Sequence, residues 1–378
     1  MYSDGQLRHS FRWLVLAIVG MLVLAGCSSG SKKTPASPTH VLPAVKFDKS
    51  ACGVSPPGDQ RPEDMQCGFL TVPENRTKSG SRTIRLAVAV LKSTSATPAP
   101  DPMLYLSGGP GQPNLSNNMQ AFSRDFAAPV QSKRDLVFFD QRGTGLSLPA
   151  LDCPELNAAF RTALAADVRA DAQEVGEAAA LIACHDRLAK TGIDFTAYSS
   201  AESAADIADL MHALGYTQYD IYGLSYGTRL ALETMRDEPQ HIRSVILDST
   251  VPPQTHGEAD DAANFERALN TLVGGCTADS ACNTAYPTLE QTYFDLVGKT
   301  DGSPITVHPK DPSSGEPATV VVNGDRILAG TWQALYDTSL LPLLPFAAKA
   351  IAGGNTTLLT TLAGQVAFVN NDIDQAMM

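Results

Sequence analysis

The sequence predicts an α/β fold built on a largely parallel sheet, and three observations carry that reading. Short apolar runs alternate with segments of helical spacing between Cys67 and Leu247. Two of those runs, Met103–Leu106 and Asp135–Phe139, lead directly into glycine-rich turns, as buried parallel strands do. The third observation is the turn Gly223-Leu224-Ser225-Tyr226-Gly227. It stands between strand-like Tyr219-Asp220-Ile221-Tyr222 and a helical segment, Thr228 to Met235, that stops ahead of Pro239.

In chain order, the first element is a targeting segment to be set apart from the fold. Arg8 and Arg12 precede an apolar run from Trp13 to Ala25, short for a membrane span. The run ends in Leu24-Ala25-Gly26-Cys27, which resembles a bacterial lipobox and implies cleavage before Cys27 and acylation of its thiol. Residues 1–26 are thus expected to be a lipoprotein signal peptide. The Ser-, Pro- and Thr-rich stretch 27–48 is expected to be a flexible tether.

The sheet begins with Cys67 to Pro73 and Thr83 to Leu91, joined by the polar turn Lys78-Ser79-Gly80-Ser81, which reads as an antiparallel hairpin. The two short apolar runs follow. Ile207, Leu210, Met211 and Leu214 then recur at helical spacing, with Gly215 as the stop and Ser199 and Glu202 as a capping box. After the serine turn and its helix, Ile242 to Leu247 supplies one more strand. From about Gln254 the rhythm changes. His256 to Leu272 and Thr288 to Val297 read as helices, Ala318 to Val322 as a strand, and Asp325 to Leu362 as leucine-rich helix. Residues 49–253 are therefore assigned to the α/β core and 254–378 to a helical cap.

A hydrophobic share of 43% and a charged share of 18% supply ample core, and a formal charge of −12 argues against nucleic acid as partner. Setting Cys27 aside, Cys52, Cys67, Cys153, Cys184, Cys276 and Cys282 remain, an even set that on an exported chain suggests disulfides. Six cysteines admit fifteen pairings. Their grouping into local couples favours Cys52–Cys67, Cys153–Cys184 and Cys276–Cys282. No Cys-x-x-Cys with a nearby histidine suggests a metal.

The chemistry resides in the serine turn. Glycines at Gly223 and Gly227 let the backbone bend sharply, so that Ser225 stands proud of the sheet as a nucleophile. Ser107-Gly108-Gly109-Pro110-Gly111 follows one strand, Asp140-Gln141-Arg142-Gly143 the next, and Leu247-Asp248-Ser249-Thr250 closes the strand after the turn. Together, in this order, the four segments resemble the α/β-hydrolase family of proline iminopeptidases and secreted tripeptidyl aminopeptidases.

That resemblance implies an α/β-hydrolase fold with the helical cap inserted after the strand that follows the nucleophile elbow. It places the oxyanion donors on the N–H groups of Gly109 and Tyr226, and it has Asp140 and Arg142 brace the oxyanion loop. Asp248 is expected to be structural, because the family's catalytic acid comes after the cap. The sequence departs from the commonest motif at Ser107, where His is usual.

A serine of this kind needs a histidine, and in such hydrolases the acid and histidine follow it in the chain. Here His308 is the last histidine. His256 and His308 read as cap surface, His241 precedes its strand, and His185 and His212 lie on helices before the serine. The chain is accordingly expected to lack the last core strands and, with them, the triad Asp and His. No cofactor is implied. The expected substrate is a short peptide cleaved at its N-terminus. Acidic residues of the cap, Glu258, Asp260 and Asp261, are candidates to hold its amino group or else ordinary solvated surface. An esterase acting on small esters and a catalytically silent binding lipoprotein are the competing readings. The expected location is outside a bacterial cytoplasm, held to a membrane by the lipid on Cys27.

Overall fold

The computed structural model describes residues 45–367, except 59–60, 120–126, 256 and 312–313. The signal segment, Cys27, most of the tether and His256 therefore lie outside the described residues.

Seven strands form the main sheet: β1 Lys46–Ser50, β2 Met65–Pro73, β3 Thr83–Leu91, β4 Met103–Leu106, β5 Leu136–Phe139, β6 Tyr219–Leu224 and β7 Ile242–Asp248, in the order β1-β2-β3-β5-β4-β6-β7. β1, β2, β3 and β5 are antiparallel neighbours, whereas β5, β4, β6 and β7 run parallel. β1 was not anticipated. It starts inside the stretch read as tether, because Lys46 to Ser50 pair with Thr71 to Cys67 and need no apolar pattern on that outer edge.

The strands read as continuous apolar runs because both sheet faces are covered. In β3, Leu86, Val88 and Val90 face one core cluster while Ala87, Ala89 and Leu91 face another. The first cluster is closed by two helices, α3 (Ser200–Ala213) through Ala204, Ile207, Leu210 and Met211, and α4 (Tyr226–Asp237) through Leu230 and Ala231. Ser199 caps α3 by accepting the Glu202 N–H. The second half of the expected box does not form, since the Glu202 carboxylate turns to Arg76 instead. At the far side, β7 is half-exposed, with Ile246 42% accessible.

A second cluster is built by α5 (Gly257–Ala278), α6 (Ser280–Ala285), α7 (Leu289–Gly302), α8 (Gly324–Ala334), α9 (Leu344–Ala352), α10 (Thr356–Val366) and a small hairpin, β8 Ile305–Val307 with β9 Val320–Val322. This helical layer also takes in residues from before the serine. α1 (Pro154–Leu164) buries Leu164 in its core, and α2 (Ala170–Ala189) follows directly. Arg161 pairs with Asp311, Arg169 with Asp301 and Asp325, and Arg326 donates to the carbonyls of Ala163, Leu164 and Ala166. The layer is thus assembled from two separate stretches of sequence, whereas the sequence reading assigned the first stretch to the core. Among the described residues no helix is long and apolar enough to cross a membrane.

The structure closes three disulfides, Cys52–Cys67, Cys153–Cys184 and Cys276–Cys282, with Cα–Cα distances of 5.1, 5.4 and 5.1 Å. The first ties the segment after β1 to β2 across 15 residues, a loop for which cross-linking contributes about 3 kcal/mol. Mass spectrometry of unreduced, folded protein is expected to find no free thiol at these six positions. The double replacement Cys52→Ser, Cys67→Ser is expected to lower stability by about 2–4 kcal/mol in denaturant melts.

Candidate active site

Ser225 sits between β6 and α4 with φ 54° and ψ −122°, a backbone conformation that a non-glycine residue adopts at a cost of about 1–3 kcal/mol. The flanking glycines make it possible. A Cβ at Gly223 would lie 2.5 Å from the Gly227 carbonyl oxygen, and one at Gly227 would lie 2.1 Å from that of Leu106. Hydrogen bonds hold the turn in place. The Ser225 N–H donates to the Asp248 carbonyl at 2.9 Å, and the Thr228 hydroxyl donates to the Ser225 carbonyl at 2.7 Å. The Ser225 side chain is left half-buried at the carboxyl end of the strands, where sites in parallel sheets lie.

Gly108 approaches this side chain directly. A Cβ there would stand 3.1 Å from Ser225 Cβ and 3.4 Å from its Oγ. The adjoining Gly109 has φ 104°, and the turn is closed by the Ser107 hydroxyl donating to the Gln112 carbonyl at 3.0 Å. Tyr226 occupies the first position of α4, where a backbone N–H has no acceptor within the helix and the helix end is electropositive. Its phenol is 2.8 Å from the Ser200 hydroxyl, so the start of α3 is tied to the elbow.

Asp140 braces the loop after β4. Fully buried, it accepts the N–H groups of Asn114 and Leu115 on one oxygen and that of Leu146 on the other. Burial raises its pKa, and those three donors oppose the rise. Arg142 does not join that loop, contrary to what the resemblance implied. Its guanidinium is spent on Asp206 at 2.8 Å from both nitrogens used, and on the carbonyls of Glu74 and Ala197 at 2.6 Å. It anchors α3 and the β2–β3 turn instead.

The Asp248 carboxylate, at the end of β7, accepts the Tyr222 hydroxyl, and the Ser249 hydroxyl lies 3.3 Å away. Tyr105 stacks on Tyr222 with ring centroids 5.9 Å apart, and burial together with the Asp248 charge pushes its pKa up to about 12. Asp248 is therefore engaged by the Tyr222 phenol of the neighbouring strand β6.

Among the described residues no histidine hydrogen-bonds Ser225 or Asp248. His241 lies at the start of β7, at the opposite end of the sheet from Ser225, with its ring on the Thr217 carbonyl. His185 stacks on Phe195, His308 lies 3.4 Å from the Thr319 hydroxyl, and His212 is exposed on α3. The sequence reading missed the supporting side chains Ser200, Tyr222, Tyr105 and Thr228. Only Tyr222 and Thr228, which directly flank the elbow turn, carried a local signal.

A family profile described as alpha/beta hydrolase fold matches residues 101–286. The serine protease Hip1 of Mycobacterium tuberculosis is 27% identical over 347 residues, covering 87% of this chain and 63% of the relative. A tripeptidyl aminopeptidase of Streptomyces coelicolor is 30% identical over 201 residues, covering 51% of this chain and 36% of the relative. A solved structure of proline iminopeptidase from Mycobacterium smegmatis matches at 18% identity with a TM-score of 0.32, covering 60% of each chain. The chain thus spans less than two thirds of the length of these curated relatives. With the sheet order and the serine elbow between β6 and α4, the matching segment makes residues 101–286 similar to the alpha/beta hydrolase fold family.

Proposed function

We propose that Ser225 is the nucleophile of an exported, lipid-anchored serine hydrolase that releases residues from peptide N-termini. One observation carries the reading: a strained serine, flanked by two glycines that cannot be replaced without collision, with Gly108 packed against its Oγ. The names of the two curated relatives, a serine protease and a tripeptidyl aminopeptidase, support a peptide as substrate.

In this reading Ser225 Oγ attacks the scissile carbonyl while a base takes its proton. Negative charge gathers on the former carbonyl oxygen, where the N–H groups of Gly109 and Tyr226 receive it. Each such donor contributes about 2.7–4 kcal/mol to the transition state. The tetrahedral species then collapses, the proton passes to the leaving amine, and water later hydrolyses the acyl ester on Ser225. The base in such chemistry is a histidine oriented by an acid.

The substrate class is tested by comparing tripeptidyl arylamides, blocked and free at the amino end, with short-chain acyl esters. The reading expects free-amino peptidyl arylamides to be preferred. A preference for acyl esters, with blocked and free peptides equally poor, would assign an esterase instead.

Anchoring is tested separately at Cys27. Metabolic labelling with a fatty-acid analogue is expected to mark the wild type and leave Cys27→Ala unmarked. Equal labelling of both would remove the lipid anchor from the account.

A further inference from the structure

The helical layer encloses a cavity of about 580 Å³, within the ~300–1,000 Å³ range of small-molecule sites. Ser225, Gly108, Gly109 and Tyr226 are not among its lining residues, so it is separate from the elbow. Its wall is contributed by Leu164 of α1, Leu296 of α7, Val322 of β9, Ile327 of α8, Ile351 of α9 and Leu359 of α10. These same residues form the core cluster of the layer. A space of this size with an apolar wall suits an apolar small molecule.

Two features narrow the chemistry of that occupant. Leu343 and Phe346 line the cavity and are 54% and 50% exposed, which marks an apolar mouth open to solvent. Large apolar side chains left in water at the rim of a cavity mark a site for an apolar molecule. Inside, Tyr293 lines the cavity at 6% exposure, and its hydroxyl lies near Thr331 without a hydrogen bond of good geometry. Arg326 lines it too. Its terminal nitrogens donate to the carbonyls of Ala163, Leu164, Ala166 and Val321, and its buried Nε is unpartnered. No carboxylate among the described residues hydrogen-bonds or ion-pairs with this guanidinium, although Asp167 and Asp325 act on it electrostatically. Of the remaining acids of the lining, Glu174 is exposed on α2, and Glu177 is half-buried and accepts the Gln173 side-chain amide at 2.9 Å.

We infer that this cavity binds one long-chain fatty acyl group, its hydrocarbon among the aliphatic wall and its carboxyl end toward Tyr293 and Arg326. An unbranched chain enters past Leu343 and Phe346 and meets apolar surface along its length. The Tyr293 hydroxyl and the cationic group at the wall suit the oxygens of an acyl carboxyl. The free acid and an acyl ester share this chemistry.

The test uses the full 378-residue chain and two probes, palmitate and methyl palmitate. Binding is read from the emission of Trp332, a lining residue, and assigned by its loss in Trp332→Phe, because the chain's other tryptophan is Trp13. The expected result is saturable binding of one probe molecule per chain and a raised melting temperature. Ala347→Phe, which places a ring in the cavity, is expected to weaken binding at least tenfold. Leu343→Glu, at the exposed mouth, is expected to do the same without disturbing the fold, and it decides the matter if Ala347→Phe does not fold. Tighter binding of palmitate assigns the free acid, and tighter binding of its methyl ester assigns an ester. Ser225→Ala is expected to bind like the wild type, so failure here is distinct from failure of the proposed hydrolase. Absence of saturable binding, or binding unchanged in both cavity variants, overturns the inference, as does binding that requires Ser225.

Discussion

Arg142→Ala is expected to destabilise the chain by about 3–5 kcal/mol, the loss typical of breaking a buried ion pair from one side. Arg142 and Asp206 are both 0% exposed. Removing the guanidinium leaves Asp206 with Arg76 as its cation and strips the hydrogen bonds from the Glu74 and Ala197 carbonyls. Against a total stability of ~5–15 kcal/mol for a folded protein, that is a large share. The damage is also directional. Arg142 fixes α3, and α3 holds the elbow through Ser200 and Tyr226. Urea melts should show the loss of stability, and the rate of covalent modification at Ser225 should fall with it under conditions where the variant remains folded. Arg142→Lys is expected to recover little, because one ammonium cannot reproduce the bidentate contact with Asp206. A melt unchanged by Arg142→Ala would show that this network is not what fixes α3.

The 378-residue chain is expected to turn over peptidyl arylamides slowly, although the elbow is fully formed. No histidine among the described residues hydrogen-bonds Ser225. A serine hydrolase deprived of one triad member retains roughly 10³–10⁴-fold acceleration over water, from the oxyanion donors and binding. Steady-state rates of this chain should lie at or below that level, and Ser225→Ala should lower them further. Full turnover, at the 10⁶-fold acceleration or more typical of enzymes, would mean that a base has been misplaced. His256 and His308 would then be the residues to replace first.

The parts of this molecule that were legible in the sequence are those governed by local rules. β4, β5 and the elbow were readable because apolar runs ending in glycine-rich turns have few other solutions in a parallel sheet. Two glycines around Ser225 announced close approaches that the structure measures as collisions with the Gly227 and Leu106 carbonyls. The three cysteine couples were readable because partners close in sequence meet at a low entropic cost. What was not legible depends on long-range partners. β1 is polar and exists by pairing with β2. α1 carries Phe160 and Leu164, but nothing nearby in the chain indicates that they pack with helices more than a hundred residues later. Glu202 has the spacing of a capping residue, yet Arg76 offers it an ion pair, which wins. Ser200 and Tyr222 are ordinary polar and aromatic residues until the fold brings them to Tyr226 and Asp248.

The measurement that tests the central claim most directly is the location of a covalent adduct. The folded chain is incubated for hours with a fluorophosphonate, digested, and mapped by mass spectrometry, so that slow chemistry still registers. The account predicts one adduct, on the peptide containing Ser225, absent from Ser225→Ala while that variant melts like the wild type. It also predicts slower labelling when the oxyanion loop is loosened by Asp140→Ala, which removes the acceptor for the Asn114 and Leu115 N–H groups. No adduct at Ser225, or an equal adduct at another serine in both proteins, would contradict it.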